Sequence, residues 1–233
     1  MRPAPVRLSL VRHRKPGWLV LLVSAATALA AVMTGCSSST AATANGGAAP
    51  GMVLINTSKY KGNIITPVTK PVGTLTDDLG KPFSIKTGTA GVVTLLFFGY
   101  THCPDECPLT MSNTGAAFRM IPAADQARIR VLFVSVDPGR DTTGRLRSWL
   151  GKFNPSFIGL RGSLAQVESI EKQTGLPIGP TFKDSAGQAQ LDHATEMFAF
   201  STNNVATEAF FPSTPPANMA NDLKLLVAGG KPS

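Results

Sequence analysis

The chain has 233 residues, 43% of them hydrophobic, with 22 basic side chains against 14 acidic ones for a formal charge of +8. Five of the basic residues and none of the acidic ones lie in the first 35 positions, so removing that leader leaves 17 basic against 14 acidic residues, a net +3. The surplus positive charge thus belongs mostly to the leader and gives no ground for a nucleic-acid partner.

Arg2, Arg7, Arg12, Arg14 and Lys15 open the chain as a basic region, and residues 18–32 are apolar or small throughout. That run is short for a membrane span and suits the apolar core of a secretory signal. Met33-Thr34-Gly35-Cys36 follows and resembles a bacterial lipobox, in which the signal is cut before a cysteine that then carries lipid. The expectation is a signal over 1–35, lipidation at Cys36 and an extracytoplasmic location on the bacterial cell membrane. Residues 37–51 are Ser, Ala, Thr and Gly with little else, which reads as a flexible tether within 36–52. The remaining 53–233 are enough for one domain with a full core.

Residues 74–85 read as an N-terminal hairpin turning at Asp77-Asp78-Leu79-Gly80. Residues 92–98 form a near-continuous apolar run, as expected of a strand buried on both faces. A helix is predicted over 104–120, a second buried strand over 129–136, a helix over 145–153 and a short strand over 157–160. Ser163 and Gln166 form a capping box opening a helix over 163–174, with Gly175 just past its end. Residues 197–201 and 206–211 flank Asn203-Asn204, a hairpin signal. Pro215-Pro216 opens a last helix. Alternating strands and helices followed by a hairpin imply an α/β fold, a central mixed sheet flanked by helices.

The chemistry concentrates in Tyr100-Thr101-His102-Cys103-Pro104-Asp105-Glu106-Cys107-Pro108, directly after the first buried strand. With a helix starting near Pro104, Cys103 and Cys107 share one face beside the helix N-terminus, where the local positive potential favours thiolate. Two convergent thiolates suit a soft metal such as Cu(I), or reversible disulfide chemistry. A structural disulfide over so small a loop would remove little unfolded-state entropy. Asp105 and Glu106 read as helix-start carboxylates, and Phe97, Phe98, Phe133 and Phe157 as core. His102 is expected to point away from the sulfurs. His193, before the second hairpin, is either a third ligand at the same end of the sheet or a surface-loop histidine. Met197 reads as strand packing. Asp137, after the second strand, is a candidate to meet the cysteines, because open α/β sheets carry their chemistry at strand carboxyl ends.

Residues 98–108, from Phe98 to Pro108, resemble the signature of the Sco/SenC family of copper-binding assembly proteins. The similarity continues through residues 133–142 (Phe133-Val134-Ser135-Val136-Asp137-Pro138 onward), residues 153–162 and Leu191-Asp192-His193-Ala194, in the family's order. The resemblance implies a thioredoxin-like fold and copper, as Cu(I) or Cu(II), held by Cys103, Cys107 and His193. It implies a metallochaperone or thiol-redox role in maturing the CuA centre of cytochrome c oxidase, with the CuA-bearing subunit as partner and other copper chaperones or thiol reductants alongside. It also implies a redox or partner-exchange role for Asp137. Gly139 and Gly144 depart from the family pattern, and the segment beyond residue 206 matches weakly. The alternative class is an extracytoplasmic thiol-disulfide oxidoreductase or thiol peroxidase without metal. The usual redox motif has two residues between its cysteines; three separate them here.

Overall fold

The computed structural model describes residues 59–176, 181–183, 189–191 and 194–231. The leader, Cys36, the tether and His193 lie outside the described residues.

The first strand, β1 (Asn63–Thr69), has no counterpart in the sequence reading. Pro67 argues against a strand, because it cannot donate to a ladder. The fold resolves the conflict by putting β1 at a sheet edge and breaking its register between Ile64 and Val68, around the proline. The predicted hairpin forms as β2 (Thr74–Asp77) and β3 (Pro82–Ser84). Gly80 takes a φ of 80° in its turn, a conformation that favours glycine. Ser84 then caps a single turn, α1 (Ile85–Gly88).

β4 (Val93–Gly99) is buried at all seven positions. It leads through the cysteine loop into α2 (Glu106–Arg119), which starts two residues later than the sequence reading placed it. A short α3 (Ala123–Gln126) precedes β5 (Ile129–Ser135). Thr142 caps α4 (Thr143–Leu150), and β6 (Ile158–Arg161) follows. The capping box forms as predicted at α5 (Leu164–Lys172): Gln166 N donates to Ser163 Oγ at 3.3 Å and Ser163 N to Gln166 Oε1 at 2.9 Å. A two-stranded ribbon, β7 (Thr181–Lys183) with β8 (Ala189–Leu191), was not legible in the sequence. The closing hairpin is β9 (Met197–Phe200) and β10 (Val205–Phe210), with Asn204 at φ 66° in the turn. α6 (Pro216–Val227) ends the fold.

Among the described residues, eight strands form one mixed sheet in the order β1-β10-β9-β4-β5-β6-β2-β3. β4, β5 and β6 run parallel; β9, β10 and β1 extend the sheet antiparallel on one side and β2–β3 on the other. α2 and α6 pack on each other, α6 contacts β4, and α4 lies against β6. The N-terminal hairpin, the mixed sheet and the flanking helices match the expected architecture.

One pair of acids holds the start of the sheet. Asp222 on α6 and Glu208 on β10 are both fully buried. Asp222 accepts the backbone N–H groups of Lys61 and Gly62 at 2.8 and 2.6 Å, fixing the segment that feeds β1. Glu208 lies against Asp222 and Gly62, where any Cβ on Gly62 would collide with its carboxyl. Burial, then the hydrogen bond and charge of Asp222, push Glu208 from 4.5 up to about 10, against a smaller pull from the Gly62 backbone. Glu208 is therefore a neutral acid at pH 7, its protonated form favoured by burial and by the neighbouring Asp222. Tyr60, beside the pair, is raised by burial and by the same two acids.

A group raised in the folded state contributes stability that is full below its unfolded value and is lost as pH rises through its folded value. Here that window runs from pH 4.5 to about 10. Urea denaturation should therefore show stability declining across it. Glu208→Gln, neutral at every pH and still a donor to Asp222, should flatten the decline. Identical pH slopes in wild type and Glu208→Gln would contradict the raised Glu208.

Candidate metal centre

The site is built on the carboxyl end of β4. The parallel pairing of β4 with β5 continues to Gly99 opposite Ser135, and Val136 N donates to Gly99 O at 2.9 Å. The chain then turns through buried Tyr100 and Thr101, and Cys103 N closes the turn on Tyr100 O at 3.2 Å. Asp105 stops the turn and caps α2, its carboxylate accepting Glu106 N at 2.8 Å.

The cysteines therefore do not share a helical face. Cys103 lies two residues before the cap and Cys107 in the first turn of α2. They meet because Cys107 N donates to Cys103 Sγ at 3.4 Å. One of the N–H groups that a helix start leaves without an internal partner thus points at the first sulfur. Cys103 is 9% exposed and Cys107 is fully buried; both are thiols rather than a disulfide. Cys103 Sγ also lies 3.9 Å from Asp105 Oδ1.

The expected thiolate-favouring environment fails at Cys107. Burial pushes its thiol well above the ordinary value of 9.0; its hydrogen bond to Cys103 and the charges of Cys103 and Asp141 add to the rise, and the Tyr100 backbone opposes it weakly. Desolvation outweighs the helix end because the sulfur is sealed in the core rather than standing at the rim. A soft metal binding here has to displace that proton, which its own charge favours.

Asp137 sits at the predicted sheet end, but its carboxylate is taken by an ion pair with Arg140 Nε. The Arg140 guanidinium in turn lies 5.9 Å from the centre of the Tyr100 ring. The buried acid beneath the cysteine loop is Asp141, which the sequence reading passed over. It is 0% exposed and accepts from Thr101 N at 3.1 Å, Thr101 Oγ1 at 2.5 Å and Ser135 Oγ at 2.7 Å. Directly before the Thr142 cap, it looks like ordinary helix-start polarity; only the Gly99–Ser135 register brings it under Thr101. His102 turns toward Asp141, with Nδ1 at 3.7 Å from Oδ1. Met197 packs in the core with Sδ 3.6 Å from Thr114 Oγ1, and the four phenylalanines are core residues, as expected. Among the described residues no group of three or more His, Cys, Asp or Glu forms a metal cluster.

A thioredoxin-like sheet with a buried dithiol at the carboxyl end of a central strand defines the class. The SCO1/SenC family model matches residues 69–228, and the chain belongs to that family. It is 39% identical over 99 residues to Protein SCO2, mitochondrial, of Saccharomyces cerevisiae, covering 42% of this chain and 33% of that protein. It is 30% identical over 136 residues to Protein SCO1 homolog, mitochondrial, of Homo sapiens, covering 52% and 43%. The matched parts thus span less than half of these relatives' lengths. Among solved structures it is similar to Bradyrhizobium japonicum ScoI with copper bound, at TM-score 0.60 and 29% identity over 67% of this chain and 98% of that one. It is equally similar to apo Sco1 from Thermus thermophilus, at TM-score 0.62 and 29% identity over 72% and 96%.

Gly99 is the packing constraint of the site. A Cβ there would stand 2.8 Å from Cys107 Sγ and 2.8 Å from the Phe97 ring. Gly99→Ala should cost about 1–3 kcal/mol, the usual range for overpacking, and push the sulfurs apart. Denaturant unfolding checks the first effect and the yield of the Cys103–Cys107 disulfide under mild oxidation the second. Unchanged stability and yield would contradict the close approach.

Proposed function

We propose that this protein is a copper chaperone and thiol-redox assembly factor for the CuA centre of cytochrome c oxidase, holding copper through Cys103, Cys107 and His193. The observation that carries the reading is the sulfur pair: Cys103 Sγ held by the Cys107 amide at the start of α2. Family membership and the copper-bound Bradyrhizobium relative support it. Two thiolates suit Cu(I), and imidazole from His193 adds a ligand that Cu(II) favours. Such a site carries a net charge of −1 with Cu(I), partly offset by the positive end of α2. Oxidation of the pair to a disulfide releases two electrons and two protons and removes both sulfur ligands. Copper loading and disulfide formation therefore exclude each other. Asp137 stays a candidate for partner exchange through the exposed Arg140 that pairs with it. A metal-free oxidoreductase or peroxidase, with Cys103 as the nucleophile and Cys107 resolving it, fits less well, because three residues rather than the usual two separate the cysteines and the resolving Cys107 is fully buried.

The reading extends to location. Cleavage before Cys36, lipidation there and the tether over 36–52 hold the 53–233 domain at the extracytoplasmic face of the cell membrane. That raises its effective concentration near membrane-embedded partners. Intact mass should show a chain starting at Cys36 and heavier than the bare 36–233 polypeptide by more than one acyl group, since a single chain anchors only marginally. An intact Met1 or an unmodified Cys36 would rule the anchor out.

Wild type and His193→Ala should both bind one Cu(I) per chain. With Cu(II), His193→Ala should lose most of the affinity and change the visible spectrum, whereas His102→Ala should leave both unaltered. Equal Cu(II) spectra and affinities for wild type and His193→Ala would remove His193 from the site.

A further inference from the structure

We infer that Asp141 is the positioning residue of the dithiol, fixing the Cys103 turn so that the two sulfurs stay within reach of each other. The inference rests on the reading of Cys103 and Cys107 as the working pair. Asp141 is fully buried and spends its carboxylate on three donors: Thr101 N, Thr101 Oγ1 and Ser135 Oγ. Two of these belong to the residue between Tyr100, whose carbonyl holds the Cys103 amide, and His102. The third belongs to the last residue of β5, which stands opposite Gly99 in the sheet. From the outer side, Arg145 Nε on α4 donates to Thr101 Oγ1 at 2.6 Å. Thr101 is thus clamped to the sheet through the Asp141 carboxylate and to α4 through Arg145, and the Cys103 turn hangs from it.

Loss of the carboxylate orphans buried donors and releases this end of the turn. Cys107 is anchored independently in α2. Freeing Cys103 therefore lowers the effective concentration of one thiol at the other. That destabilises the disulfide relative to the dithiol and weakens any metal held by both sulfurs.

The Asp141→Asn substitution separates shape from charge. With the new side chain's oxygen toward Thr101 N and Ser135 Oγ and its amide toward Thr101 Oγ1, all three contacts survive if the Thr101 hydroxyl turns to accept. A positioning role is therefore rescued by Asp141→Asn and lost in Asp141→Ala.

The test equilibrates the full chain, without metal, with dithiothreitol. Each turn of the exchange moves two electrons and two protons from dithiothreitol to the Cys103–Cys107 disulfide. Asp141→Ala should shift this equilibrium toward the protein dithiol by about tenfold, as expected for orphaning a buried hydrogen-bonded group. Asp141→Asn should stay within about threefold of wild type. Should Asp141→Ala not fold, Thr101→Val cuts the Oγ1 links at constant shape and should shift the equilibrium in the same direction. An unmoved equilibrium in the folded variants would overturn the inference, and so would Asp141→Asn behaving like Asp141→Ala, since charge and not geometry would then be acting. Because no metal enters the measurement, failure of the copper reading leaves this result standing on its own.

Discussion

The site depends on the parallel pairing of β4 and β5 being carried to its last residue, Gly99 opposite Ser135. That register ends both strands at one level, so that the loops after them leave together. From one loop come Cys103 and Cys107; from the other come Asp137, Arg140 and Asp141. Gly99 has to lack a side chain because Cys107 occupies the space beside it. Cys107 is sealed from water there, and the start of α2 aims its amide at Cys103 Sγ. The strand pairing thus sets where the two loops meet, and the start of α2 sets how the sulfurs face each other.

The same burial decides between two opposing electrostatic effects. A helix start stabilises a thiolate, by an amount typically of order 1 kcal/mol within the first turn. Removal from water destabilises it, and at a fully buried sulfur that effect reaches several pKa units. Cys107 falls on the second side. A sulfur of this kind is poor at spontaneous nucleophilic attack and well suited to ions that bring their own positive charge. Release of the ion is helped by the same preference, since the emptied site relaxes to a neutral thiol.

Much of the fold was legible because its signals are local. The apolar runs of β4 and β5, the Ser163–Gln166 box, the Asn203-Asn204 turn and Pro215-Pro216 each specify an element within a few residues. The cysteine pair and its place at a strand end were equally plain. What escaped the sequence is set by competition or distance. β1 contains Pro67 and survives only as a bulged edge strand. α2 starts late because Asp105, rather than the residue before Pro104, supplies the cap. Asp141 is polar in a polar loop until the sheet register buries it. Glu208 and Asp222 meet across separate elements, where no window of sequence shows two buried acids side by side.

The central claim is that Cys103 and Cys107 together hold copper at the end of β4. X-ray absorption at the copper edge of the Cu(I)-loaded protein tests it most directly. The account predicts two sulfur scatterers in the copper shell, both lost in the Cys103→Ser, Cys107→Ser double variant. A shell of nitrogen and oxygen alone, or one unchanged in that double variant, would contradict it.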